Sequence, residues 1–539
     1  MKINYLYDTM LNMCRSCDYR NVVVTIVVCA ATTWLLSSAF FLSNVSVEQS
    51  IAEQWLRVAI RGSVALIVIL AGMWFAPKSL RESITISVSV VAIAECILAF
   101  LQTINICNSN HDLFKITGTF YNPGPLAGFL AMALPVALGA YIETHNKWLR
   151  FVFGAAAFLI VCILPATASR TAYIAAAISC AVVFICLKRN VIRVWSSKID
   201  RKVVYSASAI ILLGGGFALW NINADSASGR LLIWKIAALG IMDEPIKGYG
   251  SFMPTYAELQ EQYFAQGGTE AERWVAGVPD CAFNEYINIA FEHGIPMALG
   301  LIAISIATIW LGIRNRRIGE VGAIVSIAIF AFASYPFRIP VIVATSIIIM
   351  LLCIHSNRCA TKFIVTLALL TISAFLMLSV PNLEKEVSKQ TEYAKARIYY
   401  VSNSYSAVAA LYPKIALNND AQFLYEWGHA LHKEQKYAAS DSVLCEAQKI
   451  SGDPMILNIR GKNLQSLGKY AEAEQMFLKS ANRLPNRVYP YFLLYKLYSE
   501  PAFYNDAKRQ AAADSVLRKK PKTESEAIEE MREIVRKSK

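Results

Sequence analysis

Charge is scarce in this sequence: Asp, Glu, Lys and Arg make up 17% of its 539 residues. A soluble chain of this length divides into several domains, each with a polar surface to cover, and 17% does not cover them. No phosphate-cradling glycine loop, dinucleotide fingerprint or zinc-ligand spacing is present, which argues against ATP-driven chemistry and gives no metal site. The twelve cysteines are scattered without metal spacing, and Cys14 and Cys17 form a lone C-x-x-C with no partner pair.

What is abundant is apolar: 55% of residues are hydrophobic and the mean hydropathy is +0.40. They gather in about eleven runs, near 21–43, 58–76, 83–105, 122–142, 149–167, 171–187, 203–220, 295–313, 319–335, 339–354 and 363–380. Each matches a hydrocarbon core roughly 30 Å thick, which only helices cross as single segments. The first run follows a charged N-terminus without a small-residue cleavage site and reads as a retained anchor. The fold class is therefore all-α: a polytopic membrane bundle of about eleven transmembrane helices.

Basic residues orient it. With the N-terminus inside, the inner segments carry Lys2, Arg15, Arg20, Lys78, Arg81, Lys147, Arg150, the run Lys188–Lys202, Arg314–Arg317, Arg358 and Lys362. The short outer connections carry only Arg57, Lys115, Arg170 and Arg338. The net charge of +13 is thus a topology signal of the positive-inside kind, with no nucleic-acid partner implied. The division that follows is a membrane domain over 1–380 with a large outer loop at about 221–294, then an outer tail over 381–539. Cys107, Cys281 and Cys445 fall on the oxidising side, where pairing is open to them.

In the tail, Gly428, Leu431, Tyr437 and Ala438 recur as Gly461, Leu464, Tyr470 and Ala471, offset by 33 residues, and Ala447 recurs as Ala481. This α-helical repeat resembles tetratricopeptide repeats, which stack into a surface for a protein partner. His429 and His432 lie on repeat helices and read as surface residues. In the loop, Ser226–Arg230 reads as a cap before the apolar stretch Leu231–Met242, a helix expected to lie on or re-enter the membrane surface.

Arg57, Arg61, Arg170, Arg230 and Arg338 all fall near outer ends of spans or in the loop. Arginine there either snorkels and pairs with carboxylates such as Glu48 and Glu53, or holds an anion; its planar fork suits a pyrophosphate. Glu95, in mid-span, is either functional or bonded to a neighbouring helix. Trp234 and Tyr256 either stack on a sugar or anchor at the interface.

Five short motifs then occur in order: Gly118-Thr-Phe-Tyr-Asn-Pro123 with Leu126-Ala127; Ala168-Ser-Arg-Thr171; Ser228-Gly-Arg230…Trp234…Asp243-Glu-Pro245…Gly248-Tyr-Gly250; Ala282-Phe-Asn-Glu-Tyr286 with Glu292-His-Gly294; and Ser334-Tyr-Pro-Phe337. Across residues 20–355 the chain resembles the O-antigen ligase, polymerase and O-oligosaccharyltransferase superfamily. The resemblance implies a bacterial inner-membrane glycosyltransferase with no metal or nucleotide cofactor. Its donor is a glycan on undecaprenyl pyrophosphate; its acceptor is lipid A core, a growing glycan or a protein. It implies Arg170 and Arg230 as pyrophosphate-side residues; Arg61, Lys247 and Arg338 are read as further donor-binding cations, and Asn284 as a further site residue of the loop. The histidine frequent in the family's A-H-N falls on Phe283, which cannot accept a proton. Glu285, Asp280 or His293 then serves as base, or positioning and charge suffice, or the chain is a non-catalytic scaffold. A carrier transporter is the rival from another class.

Overall fold

The structure is a computed structural model that describes residues 19–39, 47–75, 77–111, 113–188, 224–355 and 359–537. Lys2, Arg15, the Cys14/Cys17 pair and the span expected at 203–220 lie outside the described residues. Every regular element described is helical. In chain order the first six are α1 (Tyr19–Leu36), α2 (Val47–Phe75), α3 (Pro77–Thr103), α4 (Pro123–Glu143), α5 (Lys147–Ile163) and α6 (Arg170–Leu187). The loop contributes α7 (Ala224–Asp243), α8 (Phe252–Ala265), α9 (Glu270–Val275) and α10 (Glu285–His293). Next come α11 (Ile295–Arg314), α12 (Ile318–Ala331), α13 (Pro340–Ile354) and α14 (Cys359–Val401). The tail holds α15 (Tyr405–Ile415), α16 (Ala421–Lys433), α17 (Tyr437–Ile450), α18 (Pro454–Ser466), α19 (Tyr470–Arg483), α20 (Tyr489–Tyr498), α21 (Asp506–Arg518) and α22 (Glu526–Lys537).

Two compact units emerge. One, the membrane unit, comprises Met1–Leu212 with Gly300–Ser388; the other comprises Leu213–Leu299 with Lys389–Lys539. The loop therefore groups with the repeats, although its sequence position puts it between spans.

Among the described residues seven helices are long and apolar enough to span a bilayer, while α1, α12 and α13 have shorter apolar stretches. Each of the ten predicted runs within the described residues falls on one of these. α4 is the central one: 78% of its apolar window is buried, against 28% for α5 and α6. Small residues let its neighbours approach closely. A Cβ on Gly128 would meet Phe330, and one on Gly139 would lie 2.6 Å from the Gly319 Cα. Pro135 sits inside α4 and has no N–H for the carbonyl four residues back. Ser326 of α12 donates to that Ala131 carbonyl at 2.7 Å, so the proline costs no unsatisfied acceptor in an apolar interior. Outward, Trp148, Phe151, Phe158, Phe363, Phe375 and Leu378 are exposed, an apolar surface suited to lipid and a liability in water. At one end, Arg81 bonds Glu143 (2.7 Å) and Glu320, the latter bidentately; a cation read as a topology signal is thus also a helix clamp.

α14 does not stop where its apolar stretch ends. It runs through Pro381 to Val401, because its later residues become a wall of the repeat unit. Tyr393 packs edge-on against Tyr412 and Phe423, and Arg397 donates to the buried Glu426 at 2.9 Å, which also accepts from the Tyr412 hydroxyl at 2.9 Å. Beyond it α16/α17 and α18/α19 are helix pairs whose members start 33 residues apart, at Ala421 and Pro454 and at Tyr437 and Tyr470. The recurring glycines mark the crossings: a Cβ on Gly428 would sit 2.5 Å from Leu444, and one on Gly461 2.4 Å from Phe477. One expectation needs correction, and the pairing left open to the outer cysteines is decided. His429 and His432 are half-buried, bonded to the Tyr400 hydroxyl (2.8 Å) and Asn463 (2.7 Å); burial, with Lys433, His432 and Lys462 nearby, pushes the His429 imidazole down to about 4. Cys107, Cys281 and Cys445 are all free thiols.

Candidate functional site

Three of the five motifs belong to the membrane unit. The segment preceding α4 is clamped by side chains. Gln102 Oε1 accepts from the amides of Thr117 (3.0 Å) and Gly118 (2.8 Å), and its Nε2 donates to the Gly118 carbonyl. Glu95, buried in α3, accepts from the Thr119 amide (3.0 Å) and hydroxyl (2.5 Å). That answers the expense of a mid-span carboxylate: Glu95 holds the loop. Gly118 has φ +59, and a Cβ there would lie 2.4 Å from Glu95 Oε2, so this position requires glycine on two counts. Asn122 then caps α4 by accepting from the Gly124 amide at 2.8 Å, with Pro123 at the first helical position.

The second motif turns through Ala168 in the left-handed region and opens α6 at Arg170. A cation at the first position of a helix stands at the positive end of the dipole. Its charge and the first-turn N–H groups therefore add, which favours an anion. Arg338 closes the short turn Pro336–Arg338 just before α13, and both arginines are half-buried. Arg61 is placed differently: Nη1 donates to the Trp34 carbonyl (3.0 Å) and the Ser37 hydroxyl (3.1 Å), and its guanidinium stacks on Trp34. Arg57 pairs with Glu53 at 3.5 Å.

The other two motifs fold together in the second unit. The helix α7 already runs at Ala224, so Ser226–Arg230 form its first turns; the expectation of a cap there is corrected. Arg230 and Trp234 are one turn apart and share a face. The guanidinium of Arg230 lies over the Phe283 ring, 5.4 Å from its centroid, and the Trp234 indole donates to the Ala282 carbonyl at 2.8 Å. Both therefore read the same short segment, in which Phe283 has φ +50. The position where the resemblance expects histidine is a platform beneath an arginine.

Below that segment, Asn284 caps α10 by accepting from the amides of Tyr286 (3.0 Å) and Ile287 (3.1 Å). Asn288 accepts from the Ala282 amide (3.1 Å) and donates to Glu292 (2.9 Å), which accepts from the Phe252 amide (3.1 Å). This bracket, Asn284–Asn288–Glu292, was not anticipated; its signal is the i, i+4, i+8 spacing of polar residues on a buried helix face. The last carbonyls of α10 have no intrahelical donors. The amides of Tyr249 and Gly250 supply them, at 2.9 Å to Phe291 and 2.8 Å to Glu292, and the Ile295 amide bonds the Pro245 carbonyl at 2.8 Å.

The glycines make that approach possible. A Cβ on Gly248 (φ +68) would lie 2.6 Å from the Glu292 backbone, and one on Gly294 (φ +83) 2.0 Å from the Ile246 oxygen. Gly294→Ala should therefore separate the two motifs, costing about 3 kcal/mol. A lowered melting temperature and faster hydrogen exchange over 245–250 would register it; an unchanged exchange pattern would refute the packing.

Glu285 is buried at the first position of α10, whereas His293 and Lys247 are exposed. Tyr256 is a core residue with 1% exposure, stacked on Phe252 and bonded to Gln260 at 2.9 Å; no sugar reaches its ring. The buried face of α7, Leu232, Ile236 and Ala237, packs in the same cluster as Phe252 and Phe291, while Leu231, Leu239, Met242 and Ile246 remain exposed. Lys235 on that helix bonds Glu272 and the Tyr263 hydroxyl, each at 2.7 Å. The Lys235 bond and the Thr269 amide hold the Glu272 carboxyl down to about 2. Among the described residues no cluster of His, Cys, Asp and Glu has the makings of a metal site.

No curated protein and no solved structure matches the chain. Residues 155–302, which contain Arg170 and both motifs of the second unit, match the model of the O-Antigen ligase family.

Proposed function

We propose that this chain is a membrane glycosyltransferase that takes a glycan from an undecaprenyl-pyrophosphate carrier and delivers it to an acceptor on the non-cytoplasmic side. The observation that carries this reading is that the O-Antigen ligase match spans both Arg170 and Arg230, the two residues the resemblance assigns to the pyrophosphate. Arg170 at a helix start and Arg230 braced on Phe283 are the arrangements that hold a phosphate oxygen and stabilise charge on a departing pyrophosphate. Arg338 and Lys247 are further donor-side cations in this reading. Arg61, engaged by Trp34 and Ser37, supports it least.

Attack on the anomeric carbon by an acceptor hydroxyl needs a proton acceptor or enough leaving-group stabilisation to proceed without one. Phe283 supplies none. Glu285 is the carboxylate nearest in sequence to the platform, and His293 is the loop's histidine. The repeat tail favours a protein acceptor or protein partner, the tetratricopeptide-like surface being suited to one.

The test is transfer by the purified full-length protein in nanodiscs, from an undecaprenyl-pyrophosphate glycan to lipid A core, peptide and free glycan offered separately. Labelled product is expected on one of the three, with product on free glycan alone identifying a polymerase. A folded, carrier-binding protein that labels none of them would overturn transfer in favour of transport or scaffolding.

A further inference from the structure

The repeat unit holds a groove of about 480 Å³ between α18, α20 and the start of α21, within the size range of small-ligand sites. Its charged lining is Lys462, Lys496, Arg509 and Glu500. The carboxylate is already engaged, Glu500 accepting from Gln465 at 2.9 Å, and Arg509 pairs with Asp506 at 3.0 Å. Lys462 and Lys496 have no carboxylate within ion-pair reach among the described residues. Their ammonium groups lie instead over aromatic faces, Lys462 over Tyr489 (5.7 Å) and Lys496 over Phe492 (4.8 Å).

That arrangement discriminates between ligand classes. A neutral sugar seeks an open ring face, and here both rings are covered by cations. What the groove offers is two ammonium groups held over aromatic rings, beside the Ser499 hydroxyl, which already donates to the Tyr495 carbonyl at 2.8 Å, and the Gln465 amide, which already donates to Glu500, both oxygens being left as acceptors for peptide N–H groups. We propose that this groove binds an acidic peptide segment of a protein partner, its carboxylates meeting Lys462 and Lys496. The inference goes beyond the transferase reading and does not depend on it.

Binding is measured by fluorescence anisotropy, using the full-length protein in nanodiscs and a fluorescein-labelled octapeptide of alternating Asp and Glu. The matching Asn/Gln peptide and an oligogalacturonate are run in parallel. Saturable binding of the acidic peptide is expected, weakened about tenfold in Lys462→Gln/Lys496→Gln. It should be restored in Lys462→Arg/Lys496→Arg and unchanged in Lys449→Gln/Lys479→Gln, which removes equal charge outside the groove. Should the double variant melt early, Lys496→Gln alone, on an exposed side chain, carries the comparison. Undiminished binding in the groove variants, or equal binding of the neutral peptide, overturns the proposal. Binding of oligogalacturonate without the peptide overturns it in favour of an anionic glycan. No glycan donor enters the assay, so its failure leaves the transfer test untouched.

Discussion

Arg230→Ala lowers glycan transfer by on the order of 10²–10³-fold, the usual loss when a preorganised charge-stabilising donor is removed, and leaves membrane insertion intact. The reasoning is geometric. Arg230 stands on α7, one turn from Trp234, and the pair is tied to the segment Ala282–Phe283 by a cation–π contact and a hydrogen bond. A braced guanidinium loses little freedom on meeting a phosphate, and its fork meets two oxygens at once. Arg230→Lys should therefore recover only part of the activity, because an ammonium is a point charge without the fork. Arg170→Ala should match Arg230→Ala. Arg61→Ala provides the contrast: its guanidinium joins α1 to α2 through Trp34 and Ser37, so its loss should lower the melting temperature more than the turnover. Single-turnover rates with labelled donor decide the matter, and near-normal transfer by both Arg170→Ala and Arg230→Ala would end the pyrophosphate assignment.

The second large effect is on stability. Arg483→Met should destabilise the loop–repeat unit by ~3–5 kcal/mol, the cost of leaving a buried charge without its partner. Arg483 is 1% exposed, and its Nη2 meets Glu261 of α8 at 3.1 Å across 222 positions of sequence. Around that pair, Gln260 donates to the Arg483 carbonyl (2.6 Å), Asn486 donates to the Ala276 carbonyl (2.9 Å), and a Cβ on Gly452 would lie 2.7 Å from Ala257. The loop helices and the repeats keep separate apolar clusters but are joined by these buried polar contacts, and removing the tail would strip a face from the loop that carries Arg230.

The effect depends on pH. Burial holds the Glu261 carboxyl above its usual range, with Arg483 and Lys479 pulling it back. Without Arg483 that shift grows. In acid the group is protonated in both folded and unfolded chains and the penalty disappears. As pH rises through the ordinary carboxylate range, only the unfolded chain ionises freely, so the variant loses stability progressively. Glu261→Gln in the same chain should restore much of the loss. Melting curves of the full-length protein at pH 5 and pH 8 test both statements; equal destabilisation at the two values would show that Arg483 acts through packing instead.

Particular residues show how much was legible in the linear sequence. Run length marked the apolar helices, because a bilayer imposes one dimension on every segment that crosses it. The 33-residue offset located the helix pairs, since Gly428 and Gly461 meet the same kind of neighbour in successive repeats. The motif Gly248-Tyr-Gly250 marked a turn with two glycines, and the structure adds that a Cβ on Gly248 would collide with the Glu292 backbone. Other features had no local signal. Pro135 falls inside the run read as a span at 122–142, and nothing nearby in the sequence shows that Ser326, 195 positions from Ala131, serves the carbonyl the proline leaves unbonded. His429 and His432 read as surface residues until their partners enclose them, and Tyr256 reads as either a sugar stack or an interfacial anchor until α8 turns it inward.

Sequence by itself determined the all-helical class, the apolar helices among the described residues and the arginines worth testing, because each depends on spacing within a single segment. Tertiary structure alone decided that Glu95 holds the Thr119 turn, that Arg230 rests on Phe283, and that the loop belongs with the tail. The pairings named above join residues between 24 and 223 positions apart, and no periodicity within a segment encodes which distant surface will complete it.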